Sequence, residues 1–233
     1  MKALHLDIWS DIACPWCYVG KRRFEAALSR FPHRDHVTIT WRSFELDPSA
    51  PPIQDGGVSY AERLGRKYGK STADAQAMID SMTEVARQDG LDFRFDRIAP
   101  GNTFHAHRLL HLAKSQGRGD EAKERLFRAY FTEGRAMGDL ATLNALGTEL
   151  GLADVEATLA SDAYAKDVRR DESDAQELGI RGVPFFVLAS RYGVSGAQSP
   201  EVLLGALEEA WKGLSDDPAA AQDGDVCGPD GCT

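Results

Sequence analysis

The 233-residue chain contains only four cysteines, and they form two close pairs, Cys14 with Cys17 and Cys227 with Cys232. A small secreted domain that depends on disulfides carries more cysteines, spread along its length. The sequence therefore does not fit that class of protein. In a reducing cytosol, close pairs of this kind are more often catalytic, redox-sensing or metal-binding.

The sequence also lacks a run of about 18 apolar residues, the length at which a helix can span a bilayer. Basic residues are fewer than acidic ones, 27 against 36, which gives a formal net charge of −9. This balance matches neither nucleic acid nor an anionic membrane surface. The first residues contain no apolar segment followed by a small-residue cleavage site. We therefore expect a cytoplasmic protein that binds neither nucleic acid nor membrane.

The segment Cys14-Pro15-Trp16-Cys17 lies where an alternating, strand-like pattern over residues 4–9 changes to a helical one. A strand, Cys-x-x-Cys and then a helix is the context in which this motif indicates redox chemistry. The free N–H groups and positive dipole end of a helix favour negative charge on a sulfur at its entrance. Pro15 suits the first helical position, and Cys17 lies one turn later on the same face. We predict a solvent-reachable Cys14 as the nucleophile, with Cys17 as the resolving thiol.

Several of these residues are open to a second interpretation. The Cys14/Cys17 pair would also fit a buried core or half of a zinc site, although the proline and the long following helix argue against a zinc knuckle. His107 and His111 have the four-residue spacing of metal ligands on a helix, but no acidic or cysteine ligand lies nearby in sequence, so we predict no metal site. Asp11 is either a surface carboxylate or a proton acceptor for the resolving thiol.

Apolar patterning predicts a βαβ unit over residues 1–48, whose two strands should run parallel. From about residue 49 strand signals vanish, and only helical segments follow up to about residue 180. We interpret this stretch as a helical insertion that walls the redox site and selects substrates. Its helical segments are residues 60–68, 72–88, 103–114, 121–131, 140–150 and 155–178.

Strand signals return at residues 183–188 and 192–197, and Ser199, followed by proline, begins a last helix. Pro184 near the start of the first of these runs has two interpretations. It is either a strand's first residue, where proline is tolerated, or part of a cis Val183–Pro184 bond beside the cysteines. In the second case the Val183 backbone would be free to pair with an extended peptide.

The C-terminal pair flanks residues 228–231, whose proline, aspartate and glycine are a strong turn signal. Such a turn brings Cys227 and Cys232 together. About twelve residues separate Leu214 from Cys227, enough to span roughly 40 Å when extended. We therefore hypothesise that this accessory pair exchanges disulfides with Cys14 and its partner. The alternative is a disordered end whose thiols take no part.

Residues 14–20 (CPWCYVG) and 182–186 (GVPFF), with a long helical stretch between them, resemble the DsbA-like branch of the thioredoxin superfamily. The chain is similar above all to the FrnE-type cytoplasmic oxidoreductases, because residues 41–48 (WRSFELDP) and 102–109 (NTFHAHRL) also have that family's pattern. The resemblance extends over residues 4–212.

The resemblance implies an α/β fold, a thioredoxin fold interrupted by a large all-helical insertion. The implied element order is strand, helix, strand, then the insertion, then two strands and a helix, with a cis bond before Pro184. We accordingly divide the chain into a thioredoxin-like domain (1–48 and 181–214), a helical insertion domain (49–180) and a flexible tail (215–233).

The implied activity is that of a thiol–disulfide oxidoreductase or isomerase acting on protein or small-molecule disulfides and thiols. No bound cofactor is expected, and glutathione stays open as a reductant. Trp16 replaces the histidine that stabilises the thiolate in periplasmic DsbA, so a strongly oxidising potential is not implied. FrnE-type proteins also carry a C-terminal Cys-x4-Cys. We expect a catalytic centre of Cys14, Cys17 and Pro184, and a substrate-binding site formed by Pro15, Trp16, Val183 and His107.

Two other functions stay open. Kappa-class glutathione transferases and chromene-carboxylate isomerases share the insertion but resemble this chain less, because they carry serine where Cys14 stands. A non-enzymatic thiol sensor or metal buffer would use all four cysteines. The sequence does not determine the oligomeric state.

Overall fold

The computed structural model describes residues 2–54 and 57–214. Its sheet has the strand order β2-β1-β3-β4. β1 pairs with β2 in parallel and with β3 antiparallel, and β4 forms an antiparallel hairpin with β3. This arrangement confirms the predicted α/β fold and the predicted element order. The strands are β1 Leu4–Ser10, β2 Val37–Ser43, β3 Phe185–Leu188 and β4 Tyr192–Ser195.

The central strand β1 is buried along one face, whereas on its other face His5 is exposed, Asp7 is half-buried and only Trp9 is buried. Leu4, Leu6 and Ile8 are buried on the face that belongs to the main hydrophobic core. Trp9 is buried on the opposite face against Ala175. The alternation in the sequence of β1 therefore reflects the main core on one face, and on the other face solvent at His5 and a second, smaller core at Trp9.

Two helices pack against each other beside the sheet: α1 Pro15–Arg30 follows β1, and α9 Pro200–Gly213 follows β4. Both begin with proline in the first turn, a position where its missing N–H breaks no helical hydrogen bond. The Ser199 hydroxyl accepts a hydrogen bond from the Val202 N–H at 3.4 Å and so caps α9 as predicted.

Between β2 and β3 the described residues contain helices and no strand, which confirms the helical character of residues 49–180. An aromatic cluster joins this insertion to α1. Tyr18 of α1 stacks on Phe127 at 4.7 Å between ring centroids, and Phe93 stacks on Phe131 at 4.6 Å. The helices are α2 Tyr60–Tyr68, α3 Thr72–Gln88, α4 Phe104–Ser115, α5 Gly119–Phe131, α6 Leu140–Glu149, α7 Val155–Ala160 and α8 Ala165–Glu177.

The prediction of one continuous helix over residues 155–178 is wrong, because α7 and α8 are separate. Tyr164 adopts the left-handed region with φ +61, which interrupts a helix. Arg108 stabilises this break, because its side chain is buried and its Nε donates to the Ala163 carbonyl at 2.8 Å. Its Nη2 also donates to the carbonyls of Thr158 and Ser161. A buried guanidinium needs several acceptors, and the broken helix supplies them.

Within the part of the chain that the structure describes, no helix combines the length and the apolar character that a membrane crossing requires.

Candidate active site

Cys14 occupies the N-cap position of α1, with extended backbone angles of φ −93 and ψ 113, and Pro15 follows in the first turn. The Cys14 thiol donates to the Val183 carbonyl, with 3.6 Å between sulfur and oxygen. The Cys17 N–H donates to the Cys14 carbonyl at 3.0 Å. Both cysteines are free thiols. The local sequence thus sets one sulfur at the helix entrance and the second one turn deeper, as predicted.

Cys14 is less accessible than the sequence predicts, since only 5% of its surface is exposed. The Val183 backbone covers it on one side. Tyr60, at the start of α2, lies close enough for its ionisation to be affected: burial and the nearby charge of Cys14 raise the pKa of Tyr60 to about 12. The helical insertion therefore narrows access to the sulfur. Trp16 beside it is 45% exposed.

Cys17 is more deeply buried, with 1% of its surface exposed. Burial raises the pKa of the Cys17 thiol well above its usual range, and a hydrogen bond to Cys14 and the charge of Cys14 act in the same direction. The charge of Lys123 and the Asp11 backbone oppose this shift without cancelling it. Cys17 is therefore protonated in neutral solution and must lose its proton before it can attack.

The Val183–Pro184 bond is cis, as the resemblance implied. Pro184 packs directly on α1 at Gly20, where an added Cβ would come within 2.9 Å of Pro184 Cγ. Glycine is therefore required at position 20 for this close approach. The Pro184 carbonyl accepts from the Gly196 N–H at 2.8 Å. The expectation was that the Val183 backbone is free to pair with a peptide. Its carbonyl instead accepts the long hydrogen bond from Cys14.

Asp11, which precedes the cysteine motif, is 1% exposed, so it is not a surface carboxylate. Its Oδ2 accepts from the Leu46 N–H at 2.8 Å and its Oδ1 from the Ala13 N–H at 3.3 Å. His107 Nε2 lies 3.5 Å from Oδ1. Burial works to raise the pKa of Asp11, but the interactions with His107 and the Leu46 N–H outweigh burial and lower it.

The expectation that His107 lines the substrate cleft is wrong, because its side chain is fully buried at 0% exposure. It lies behind Asp11 because α4 packs its apolar face into the core. The two segments that carried the resemblance, residues 41–48 and 102–109, meet here. Leu46 binds Asp11, and the Asn102 side-chain amide donates to Glu45 Oε1 at 3.0 Å. They form the wall behind the active site.

His111, one turn along α4, faces a different carboxylate. Its Nε2 lies 3.0 Å from Asp171 Oδ2 and 3.2 Å from Ser43 Oγ. Asp171 also accepts from the Ser43 N–H at 2.9 Å and from Arg42 Nη1 at 2.9 Å. The two histidines thus bind separate partners. In residues 2–54 and 57–214, no group of three or more His, Cys, Asp or Glu side chains converges to hold a metal ion.

Lys123 of α5 is a further residue near the cysteines, and its place there is not predicted from the sequence. Its side chain is 0% exposed and its Nζ has no hydrogen-bond partner among the described residues. The ammonium lies over two aromatic rings, 4.8 Å from the centroid of Phe127 and 5.4 Å from that of Trp41. The available signal was periodicity, because Lys123 stands three and four residues before the buried Leu126 and Phe127 and thus on the core-facing side of α5.

This arrangement defines a thioredoxin-fold protein with a Cys-x-x-Cys pair at a helix N-terminus, beside a cis-proline. Residues 5–208 match the model of the DSBA-like thioredoxin domain, so the chain belongs to that family.

The chain is also similar to individual relatives. A Streptomyces coelicolor structure, described as a probable DsbA oxidoreductase, is 47% identical, with a TM-score of 0.87 over 99% of this chain and 98% of that one. YwbO of Bacillus subtilis is 29% identical over 90% of this chain and 98% of its own. The cytosolic disulfide reductase DsbM of Pseudomonas aeruginosa shares the fold, at 18% identity and a TM-score of 0.61 over 89% of this chain and 98% of DsbM.

Proposed function

We propose that the protein is a thiol–disulfide oxidoreductase in which Cys14 captures the substrate sulfur and Cys17 releases it. The observation that carries the proposal is the asymmetry of the two sulfurs. Cys14 caps α1 and faces the Val183 carbonyl, whereas Cys17 lies one turn deeper and is held as a thiol by burial. A thiolate at a helix entrance attacks, and a protonated neighbour waits until the mixed disulfide has formed.

In the reducing direction, the Cys14 thiolate attacks one sulfur of a substrate disulfide. A bond forms between Cys14 and that sulfur, the substrate S–S bond breaks, and the second substrate sulfur leaves as a thiolate that takes up a proton. Cys17 then loses its proton and attacks the Cys14 sulfur. The Cys14–Cys17 disulfide forms, and the first substrate sulfur leaves as a thiol. In the oxidising direction the same steps run backwards.

Substrate approach is limited by the narrow opening over Cys14. We assign the surrounding contacts to Pro15, Trp16 and the Val183 backbone, because Trp16 is exposed and the other two are partly exposed around the buried sulfur. An extended peptide whose N–H replaces the Cys14 thiol at the Val183 carbonyl would gain one strand-like hydrogen bond. Protein or small-molecule disulfides that present an extended, unhindered segment fit this opening. Glutathione is also an extended, unhindered thiol, so it is a suitable reductant.

The narrower assignment is a FrnE-type cytoplasmic enzyme that also uses its C-terminal cysteines. Cys227 and Cys232 lie outside the described residues, so their exchange with Cys14 rests on the sequence. Trapping in a Cys17→Ser variant tests it, since a Cys14–Cys227 or Cys14–Cys232 linkage is expected in non-reducing peptide mapping. If neither linkage forms, the tail takes no part.

The proposed activity is tested by insulin reduction with glutathione or dithiothreitol as electron donor, and by reactivation of a scrambled disulfide protein. The wild type should turn over, and Cys14→Ser should abolish turnover because no attacking sulfur remains. A Cys227→Ser/Cys232→Ser double variant is the matched control for loss of thiols away from Cys14. Retention of activity in Cys14→Ser would contradict the proposal and favour glutathione-dependent isomerase chemistry.

A further inference from the structure

Two lysines are buried near the active-site helix, and only one of them is paired. Lys21 of α1 is 2% exposed and forms ion pairs with Glu25, with Glu124 at 3.1 Å and with Asp120 at 3.7 Å. Lys123 of α5 is completely buried and has no such partner within the described part of the chain. A buried ammonium without a carboxylate or carbonyl acceptor is costly. Its position therefore calls for a role other than stability.

Lys123 lies against the start of α1, because its Nζ is 4.8 Å from the centroid of the Phe127 ring, and that ring stacks on Tyr18, the residue after Cys17. This geometry indicates the role of Lys123. The charges that act on it come from Cys17 and Cys14 at the start of α1, from Asp11 in the loop before it, and from Lys21. Lys21 is neutralised by its own carboxylates, and Asp11 is held by backbone N–H groups and His107. The two sulfurs are thus the partners whose charge changes during the proposed reaction. Burial lowers the pKa of Lys123 to about 8, against the opposing effect of these anions.

We propose that Lys123 is the buried counter-charge of the active-site thiolate, whichever of the two sulfurs carries it. The inference rests on the proposed function. When the pair is reduced, the charge of the ammonium stabilises the thiolate, and the rings of Phe127 and Trp41 hold Lys123 in place without neutralising it. When the disulfide forms, both sulfurs become neutral and Lys123 loses this partner. Lys123 thus acts through the sulfurs as a positioning residue, and it favours the reduced state.

The most direct test follows the ionisation of Lys123 itself in the full-length protein. The signal is the side-chain carbon resonance of labelled lysine in NMR spectra, assigned with Lys123→Met. The protein is measured after reduction with dithiothreitol and after oxidation with diamide. The pKa of Lys123 should be lower in the disulfide form by about one pH unit, the size of shift that a nearby opposite charge produces. The same titration in both forms would overturn the inference.

This experiment separates the inference from the proposed function. If diamide does not convert Cys14 and Cys17 to a disulfide, the proposed function fails. If the disulfide forms and Lys123 titrates alike in both forms, only the role of Lys123 fails.

A second test uses the equilibrium of the Cys14/Cys17 pair with glutathione. Lys123→Met should shift that equilibrium about tenfold toward the disulfide, equivalent to a potential about 30 mV lower, because the reduced state loses its counter-charge. The variant should also slow the resolution of a preformed Cys14–glutathione mixed disulfide and move its pH profile to higher pH. Lys21→Met is the matched control, and its equilibrium should stay within twofold of the wild type.

Thermal unfolding distinguishes this role from a structural one. Lys123→Met should unfold at the same or a higher temperature, because methionine fills similar space without burying a charge. A variant that loses stability while keeping the wild-type equilibrium with glutathione would show that Lys123 serves the fold, against the proposal.

Discussion

His107 and His111 lie one turn apart on α4, and each faces a buried aspartate, but the two pairs are built differently. His111 lies 3.0 Å from Asp171, within an assembly that Arg42 completes by an ion pair of 2.9 Å. His107 lies 3.5 Å from Asp11, and neither of its ring nitrogens has a hydrogen-bond partner among the described residues.

The difference follows the position of each pair in the fold. Asp171 of α8 binds residues of β2 and α4 and so fastens the insertion to the sheet. Its polar groups are satisfied, as expected for a structural assembly. Asp11 lies directly before the cysteine motif, where the buried side chains of His107 and Lys123 have no hydrogen-bond partner among the described residues. Incomplete pairing is thus found beside the cysteines, and complete pairing is found where the insertion meets the sheet.

The largest expected effect is on Asp171. Asp171→Ala removes an acceptor shared by Arg42, His111 and the Ser43 N–H, and it leaves the Ser43 N–H without its partner while Arg42 keeps only Asp7. The free energy of unfolding should fall by about 3–5 kcal/mol. Urea denaturation followed by circular dichroism measures the change. A loss below about 1 kcal/mol would mean that this assembly does not hold the insertion to the sheet.

Asp171 should also contribute to the acid sensitivity of the fold. Burial works to raise the pKa of Asp171, but His111, the Ser43 N–H and Arg42 outweigh it and lower the pKa. A carboxylate with a depressed pKa contributes stability above its unfolded value, near 3.9, and that stability is lost as the pH falls through the folded value. The free energy of unfolding should therefore decline below about pH 4. Asp171→Asn should flatten that decline, and an unchanged slope in this variant would contradict the assignment.

A smaller stability effect is expected at Asp11. Asp11→Asn keeps one acceptor for the Leu46 N–H, so the loss should be about 1–2 kcal/mol, a fraction of that at Asp171. It also removes an anion that acts on Lys123, so the pKa of Lys123 should fall further below its usual range. Urea denaturation and the lysine resonance measure the two effects. Equal losses at Asp11 and Asp171 would remove the distinction between the two pairs.

The smallest effect is expected at Ser43. Its hydroxyl contacts His111 Nε2 at 3.2 Å, while its N–H still donates to Asp171 in any variant other than proline. Ser43→Ala should therefore cost about 1 kcal/mol, the value of one buried hydrogen bond. Differential scanning calorimetry against the wild type tests this, and a loss as large as that of Asp171→Ala would place the hydroxyl at the centre of the assembly instead.

Much of the fold could be predicted because its signals are local. The alternation in β1, the helical spacing of the insertion and the Ser199 cap each depend on a few consecutive residues. The Cys14-Pro15-Trp16-Cys17 segment predicted the start of α1 for the same reason. These features need no knowledge of what packs against them.

The features that the sequence did not predict depend on long-range packing. Lys123 and Asp171 are far from Cys17 and Ser43 along the chain, and nothing in either local pattern identifies the partner. The sequence allows Asp11 to be either a surface carboxylate or a proton acceptor, because its burial depends on α4 and the Leu46 segment. The break between α7 and α8 is stabilised by Arg108 of α4, which is distant along the chain. The local pattern of residues 155–178 therefore could not predict it.

The central claim, that Cys14 attacks and Cys17 resolves, is tested most directly by trapping a substrate. Cys17→Ser and Cys14→Ser proteins are each incubated with a peptide that contains one disulfide, quenched with acid and mapped by mass spectrometry. The account predicts that Cys17→Ser accumulates a stable mixed disulfide at Cys14, and that Cys14→Ser accumulates none at Cys17. A mixed disulfide that forms at Cys17, or that fails to form at Cys14, would contradict it.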